Sequence, residues 1–197
     1  MLTGLPPLVS SNTRLLILGS FPGAASLAAQ QYYGHPQNHF WKILQAIWPS
    51  CAIGMGANSY QKRIEWLLSK GLGLWDVYAA CEREGSLDSN IRKPVVNDFA
   101  DLLRLCPELQ AIAHNGGESF KHARHVSAAL AGIERSAGPP QASSAPSGGS
   151  VLHEVNSVGV LFHKLPSTSP ANASWSFERK LAAWREVFEK HGLMDNQ

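Results

Sequence analysis

Four short apolar runs alternate with segments of helical spacing along this 197-residue chain, and this alternation constrains its fold most strongly. The runs are rich in Leu, Ile, Val and Ala, as buried strands are, and occupy residues 14–18, 71–77, 109–114 and 158–165. Apolar residues at helical spacing predict helices over residues 40–48, 60–70, 98–105, 118–131 and 174–191. Strands separated by helices pair in parallel through right-handed crossovers. The sequence therefore predicts a three-layer α/β/α sandwich with a central four-stranded parallel sheet.

Composition and charge narrow the class of protein. A chain of this length fits a single domain spanning residues 1–197, and 44% hydrophobic with 16% charged residues is typical of a globular protein. The formal net charge of +2 is nearly neutral, so binding to a polyanion requires a local cluster of donors. Residues 136–150 are dense in Pro, Gly and Ser, which predicts a flexible surface loop within that domain.

Cysteine usage and the N-terminal sequence indicate a cytoplasmic location. Cys51, Cys81 and Cys106 are odd in number and widely spaced, which argues against a disulfide framework and against a zinc or iron–sulfur site. The N-terminus has no basic start followed by an apolar core, and no apolar run is long enough to span a bilayer. We expect a monomer in the cytoplasm, with no metal, cofactor, membrane association or protein partner.

A distinctive loop follows each predicted strand. The loops contain the segments GSFPG, WDVYAACEREGSLDSN, HNGGESF and LPSTSPANAS, in chain order. In parallel α/β sheets, ligands bind beyond the carboxyl ends of the strands. We therefore expect these four loops to meet at one site.

The segment QQYYGHPQNHFW, residues 30–41, has the mixture of side chains expected of a pocket wall. Its aromatic rings are suited to stacking on a planar base, and its amides to hydrogen bonds with a base or a water molecule. Phe40 and Trp41 begin an apolar helix face and belong to the predicted core. Tyr33 and Asn38 precede that face, so we favour them as pocket residues over a Tyr and an Asn satisfied within the loop.

The loops after the first three strands each allow a functional and a structural interpretation. Residues 19–23 form either an anion site of backbone N–H groups or a tight turn. Asp76 either accepts an N–H from a ligand or caps a loop, and Asn115 either faces a ligand or caps a helix. The residues alone leave these alternatives open.

The last loop has a similar ambiguity. The hydroxyl groups of Ser167, Thr168 and Ser169 suit phosphate contacts, and the flanking prolines, Pro166 and Pro170, make the loop stiff enough to push between stacked bases. The same residues also fit the ordinary capped start of a helix.

Taken together, these segments resemble the uracil-DNA glycosylase superfamily and, within it, the hypoxanthine-DNA (deoxyinosine) glycosylases. The resemblance rests on GSFPGAASLAAQQYYGHPQNHFW, GLWDVYAACEREGSLDSNI, HNGG and LPSTSPANAS, and it covers nearly the whole chain except residues 136–150. It implies a parallel sheet between helices, with the active site at the strand ends. It further implies a monofunctional enzyme that flips a damaged base out of DNA and hydrolyses its N-glycosidic bond with an ordered water.

The resemblance also implies roles for individual residues. Phe21 stands where many members have an Asp or Asn that positions the water, and the substitute Asn of the hypoxanthine enzymes maps to Asn38. Tyr33 matches an aromatic residue that stacks on the flipped base, and Asp76 matches an Asn that reads the base edge in uracil enzymes. We therefore expect Asn38 to be catalytic. Phe21 and Asn115 complete the expected base-binding set with Tyr33 and Asp76.

Two departures from the superfamily pattern bear on the substrate. Phe21 cannot orient a water by a carbonyl oxygen, and Leu165 replaces a His or Asn that often opens the last motif. Asp76 is suited to accept the N1–H of hypoxanthine, a proton that adenine lacks. We expect hypoxanthine as the substrate base. The alternatives are a uracil- or mismatch-specific glycosylase, a nucleoside or nucleotide hydrolase, and a non-catalytic damaged-DNA-binding protein.

Overall fold

The computed structural model describes residues 1–49, 59–134, 154–155 and 159–194. Its strands, in chain order, are β1 (Leu2–Thr3), β2 (Leu15–Gly19), β3 (Leu72–Asp76), β4 (Tyr78–Glu82), β5 (Arg92–Val96), β6 (Ala111–Asn115), β7 (Glu154–Val155) and β8 (Leu161–Leu165). Its helices are α1 (Ala24–Ala29), α2 (Phe40–Ile47), α3 (Ser59–Ser69), α4 (Leu102–Leu105), α5 (Gly117–Phe120), α6 (Ala123–Glu134) and α7 (Phe177–Lys190). The loop predicted at residues 136–150 and Cys51 lie outside the described residues.

The four predicted strands form a central parallel sheet in the order β3-β2-β6-β8. Every residue of β2, β3 and β6 is buried, because helices or other strands cover both faces of the sheet. The short strand β7 adds an antiparallel edge beside β8. The predicted α/β sandwich around four parallel strands is confirmed.

Alternate residues of the central strands pack into two separate cores. Leu15 and Ile17 of β2 lie in a core with residues of α2, α3 and α7, whereas Leu16 and Leu18 lie in a core with residues of α4, α6 and β4. Burial of one such side chain contributes roughly 1.5–3 kcal/mol relative to exposure. The two cores therefore fix the strand ends, and with them the loops that follow.

A second, antiparallel sheet corrects the prediction that residues 75–90 form a loop. Its strand order is β1-β4-β5. Tyr78 and Cys81 of β4 are buried, while the residues between them are half-buried. The pairing of β4 with β5 contains register shifts, which break the strict alternation of apolar and polar residues by which a strand is identified.

The predicted helices differ from the structure mainly at their ends. The helices predicted over residues 40–48, 60–70 and 174–191 correspond to α2, α3 and α7. The prediction over residues 98–105 was too long, because Asp98 Oδ1 accepts a hydrogen bond from Ala100 N at 2.9 Å and holds a turn before α4. The segment predicted as one helix over residues 118–131 divides into α5 and α6, and α1 was not predicted.

Cys81 and Cys106 are buried free thiols. Across the described ranges, no helix is both long and apolar enough to cross a membrane.

Candidate active site

A cavity of about 560 Å³ opens at the carboxyl ends of the parallel strands. Its wall contains every residue predicted for the site, namely Phe21, Tyr33, Asn38, Asp76, Asn115, Ser167, Thr168, Ser169 and Pro170. The fold thus brings together side chains that are far apart in the sequence. A groove of similar volume on the small sheet is lined by residues such as Glu82, Arg83 and Arg92 and contains none of this set. We therefore assign the site to the first cavity.

Asp76 and Tyr33 approach each other beside Gly19. Gly19 ends β2 and pairs in register with Asp76 at the end of β3. A Cβ built at Gly19 would overlap Asp76 Oδ1 and lie 3.6 Å from the Tyr33 hydroxyl. Asp76 Oδ2 and the Tyr33 hydroxyl are buried, and in the described part of the chain neither forms a hydrogen bond of good geometry, although the Asn115 side chain lies near enough to the hydroxyl to lower its pKa. Because unpaired buried polar atoms are costly, this arrangement indicates a site for a polar ligand.

Burial controls the charge of Asp76. The residue is 4% exposed, and burial raises the pKa of its carboxyl group to about 7. Repulsion by Asp88 adds to the rise in pKa, and attraction by Arg83 opposes it. Asp76 therefore titrates close to neutral pH, and its ionised form accepts a hydrogen bond from an N–H group.

Tyr33 is held in an uncommon backbone conformation. Its φ of 55° lies in the left-handed region, where a non-glycine residue is strained. Its ring stacks on Phe40 with the ring centroids 4.0 Å apart and the planes at 26°. Burial, and then the charge of Asp76, raise the pKa of the Tyr33 hydroxyl. The hydroxyl therefore stays protonated and serves as a donor.

Asn38 lies in the cavity wall just before α2. The side-chain Oδ1 of Asn38 accepts a hydrogen bond from Phe40 N at 2.9 Å, and the backbone N–H of Asn38 donates to His35 O at 2.9 Å. This turn fixes the orientation of the side-chain amide. A carbonyl oxygen has two lone pairs, so Asn38 Oδ1 keeps one acceptor site for a water molecule.

Asn115 and Thr168 hold two of the loops together. Asn115 Nδ2 donates to Thr168 Oγ1, and Asn115 Oδ1 accepts from Thr168 N, each at 2.9 Å. The backbone oxygen of Thr168 also accepts from His39 N at 2.9 Å. Thr168 has no exposed surface, so in this conformation it offers no atom to a phosphate. The two bonds give Asn115 and Thr168 a positioning role between the loops, and the DNA contact expected of Thr168 and the base contact expected of Asn115 stay predictions.

Ser167 and Ser169 keep hydroxyl protons available for an acceptor. Ser167 Oγ accepts a hydrogen bond from Ser169 N at 3.2 Å, and Ser169 Oγ accepts one from Ala171 N at 3.2 Å. A hydroxyl that accepts from the backbone still has its own proton to donate. Pro170, next to them, is exposed at the cavity wall. This loop is suited to the phosphate contacts and the wedge that the sequence predicted.

Residues 86–89 belong to the second of the four loops expected at the site, and they form part of the cavity wall, although none of them was predicted individually. Asp88 Oδ1 accepts a hydrogen bond from Ser20 Oγ at 2.7 Å, and Ser86 Oγ accepts one from Ala24 N at 2.9 Å. These bonds attach the segment to the loop after β2. The cluster of Gly, Ser and Asp within the predicted loop was the signal that marked it.

Phe21 contributes an apolar wall. It is 5% exposed and packs in the core that contains Leu16 and Leu18. The Arg83 guanidinium carbon lies 5.0 Å from the centroid of its ring. Within the described ranges, no three His, Cys, Asp or Glu side chains are grouped so as to hold a metal ion.

The chain matches the family model of the uracil DNA glycosylase superfamily over residues 6–188. It belongs to that superfamily. The predicted enzyme class, a DNA glycosylase, is confirmed by this membership and by the relatives described next.

Two relatives and one solved structure are similar to this superfamily member. It is 43% identical over 121 residues to a hypoxanthine DNA glycosylase of Methanosarcina barkeri (strain Fusaro / DSM 804). The aligned residues make up 60% of this chain and 73% of that protein. A hypoxanthine DNA glycosylase of Methanosarcina acetivorans is 42% identical over the same length and coverage. A candidate uracil DNA glycosylase from Methanosarcina acetivorans, solved in solution by NMR, superposes with a TM-score of 0.71 and 32% identity, covering 96% of this chain and 98% of that chain.

Proposed function

We propose that this DNA glycosylase removes hypoxanthine from deoxyinosine in DNA. The observation that carries the proposal is the pair of buried, unpartnered polar atoms on Asp76 and Tyr33 at the cavity. The ionised carboxylate is an acceptor and the hydroxyl is a donor. Hypoxanthine presents the complementary pair, an N1–H donor beside an O6 acceptor. Adenine presents the opposite pair, so the same two groups would reject it.

The proposed role of Tyr33 is to donate its hydroxyl proton to O6. Phe40 already covers one face of the Tyr33 ring, and the hydroxyl lies beside Gly19 and Asp76. This role replaces the stacking role that the resemblance implied. Negative charge develops on the purine as it leaves, and a fixed donor in a water-poor site stabilises that charge.

Asn38 is proposed to orient the attacking water. Its Oδ1 accepts one hydrogen bond, from Phe40 N, and can accept a second from a water molecule, and Asn38 lines the cavity. An amide is a weak base, so we assign it orientation of the water rather than full removal of a proton. Phe21 supplies an apolar wall that keeps other water away.

The loop at residues 166–172 is proposed to hold the DNA. Flipping a nucleotide costs roughly a few kcal/mol in lost stacking and pairing. Phosphate contacts from Ser167 and Ser169, with Pro170 inserted between bases, would offset that cost. The monomeric state and the cytoplasmic location stay predictions.

The test is a single-turnover assay on duplex oligonucleotides that each contain one modified base. We expect free hypoxanthine and an alkali-labile abasic site from deoxyinosine, and neither product from adenine. The free nucleoside deoxyinosine, assayed in parallel, distinguishes a nucleoside hydrolase. Binding of deoxyinosine DNA without formation of abasic sites would contradict the proposal.

Uracil is the second candidate substrate, because its N3–H and O4 present the same donor and acceptor as hypoxanthine. Leu165, at the end of β8, is 4% exposed and offers no donor to a departing uracil anion. We therefore expect deoxyuridine to react more slowly than deoxyinosine in the same assay. Faster release of uracil would reverse this order of candidates.

A further inference from the structure

Lys180 of α7 is a buried cation behind the loop that carries Ser167 and Ser169. It is 1% exposed. Its Nζ donates to the backbone oxygen of Asn172 at 2.9 Å and to that of Ser169 at 3.5 Å. In the part of the chain that the structure describes, no carboxylate forms a salt bridge with it. Lys180 is therefore a buried positive charge that is solvated by neutral carbonyl groups.

Holding this loop does not require a charge. Asn172 Nδ2 donates to Ser167 O at 3.1 Å, and Trp184 Nε1 donates to Pro166 O at 3.1 Å, so neutral donors already bond to the same segment. An unpaired ammonium is strongly unfavourable in a buried position, and burial lowers the pKa of Lys180. The retained charge indicates a negative partner that comes from outside the chain.

The geometry of the loop presents donors to such a partner. The carbonyl groups of Ser169 and Asn172 bond to the ammonium, so they are directed away from an incoming anion. The hydroxyl groups of Ser167 and Ser169 keep their protons for donation. Burial, and then the charges of Lys180 and Lys42, lower the pKa of His39, while Glu178 opposes the change, so Lys180 lies near the segment before α2.

We propose that Lys180 is a positioning residue that supplies the counter-charge for a DNA phosphate bound by Ser167 and Ser169. The inference rests on the proposed function, because it requires DNA on this loop. Lys180 acts through the loop and does not touch the phosphate. Its charge governs the affinity for DNA and the dependence of that affinity on salt, while bond cleavage at saturating DNA depends on it little.

The experiment measures DNA affinity by fluorescence anisotropy at several salt concentrations for three variants of the full chain. Lys180→Met removes the charge with little change of shape, and we expect it to weaken binding by about tenfold at low salt and to reduce the slope of log K against log salt by about 0.9. Lys180→Arg keeps the charge and should retain the wild-type slope. Lys62→Met, an exposed position on α3, removes the same net charge elsewhere and should change neither quantity.

A folded Lys180→Met variant with the wild-type salt slope would overturn the inference. If that variant does not fold, the Nζ resonance of Lys180 in the wild-type protein provides the test, and an unchanged resonance on addition of DNA overturns it. Wild-type release of hypoxanthine is scored separately. If the wild-type protein releases hypoxanthine and Lys180→Met has the wild-type salt slope, only the role of Lys180 is contradicted. If the wild-type protein binds DNA without releasing hypoxanthine, only the proposed function is contradicted.

Discussion

Gly19 and Asp76 are register partners at the carboxyl ends of β2 and β3, and the missing side chain of Gly19 makes room for the Asp76 carboxylate. Gly19→Ala would place a Cβ on Asp76 Oδ1 and force the carboxylate or the strand to move. We expect the free energy of unfolding to fall by roughly 1–3 kcal/mol and the rate on deoxyinosine to fall at least about tenfold. Urea unfolding and single-turnover assays measure the two effects.

Gly132→Ala is the matched control, because a Cβ built at Gly132 meets no atom within 4 Å. It lies within α6, where Ala is the better helix former, so stability should stay the same or rise. Equal effects of the two substitutions would contradict the steric role of Gly19.

The central sheet was predictable because its strands are buried on both faces and therefore read as apolar runs. The meeting of the loops was predictable because parallel strands direct their carboxyl ends to one edge. The small sheet was not predictable, because register shifts break the alternation of apolar and polar residues in β4. The pair of hydrogen bonds between Asn115 and Thr168, here called the clamp, was not predictable either, because it joins residues 53 positions apart. Tyr33, whose hydroxyl lies near Asp76, has a left-handed backbone that no residue pattern indicated.

Substitutions at Asn38 separate its structural role from its proposed catalytic role. Asn38→Ala removes the acceptor for Phe40 N, at a cost of about 1 kcal/mol, and also removes the water-orienting oxygen, so we expect release of hypoxanthine to be abolished. Asn38→Ser can keep the local turn, yet its hydroxyl is too short to orient the same water, so stability should recover while activity does not. Thermal unfolding and single-turnover rates give the comparison. Wild-type turnover in either variant would remove Asn38 from the mechanism.

The activity is expected to rise with pH through about 7 because the ionised Asp76 carboxylate accepts N1–H more strongly than the protonated carboxyl group does. Below its pKa the protonated carboxyl group is less able to accept from the base. Asp76→Asn has no such titration, so its rate should lack this rise. Its amide offers either an oxygen or an NH₂ group, so discrimination against adenine should weaken. Rates on deoxyinosine and on adenine across a pH series check both points, and a parallel pH profile in the variant would contradict the assignment.

Asp76 also makes stability depend on pH, with a defined sign. Burial raises its folded-state pKa from 3.8 to about 7, so the folded protein binds the proton more tightly than the unfolded chain does. The contribution of Asp76 to the free energy of unfolding is therefore most favourable below about pH 4 and is lost as the pH rises toward 7. Above about pH 7 it stays constant, and the total loss is on the order of a few kcal/mol. Urea unfolding of the wild type and Asp76→Asn at about pH 5 and about pH 8 isolates this contribution from other titrating groups. The difference in stability between the two proteins should shift in favour of the variant at the higher pH, and a constant difference would show that the carboxyl pKa is not raised.

The two hydrogen bonds between Asn115 and Thr168 predict strong energetic coupling. Asn115→Ala leaves the buried Thr168 N–H without its acceptor, and Thr168→Val removes the hydroxyl that accepts from Asn115 Nδ2. Each substitution should destabilise the fold by roughly 1–3 kcal/mol, and the double variant by less than the sum, with a coupling of about 0.5–3 kcal/mol. Thr13→Val provides the control. Thr13 is buried just before the N-terminal end of β2, whereas Asn115 and Thr168 lie at the carboxyl ends of the strands, so Thr13→Val combined with Asn115→Ala should have additive effects. Urea unfolding of the full cycle measures the coupling, and additive effects of Asn115→Ala and Thr168→Val would mean that the clamp does not hold the two loops together.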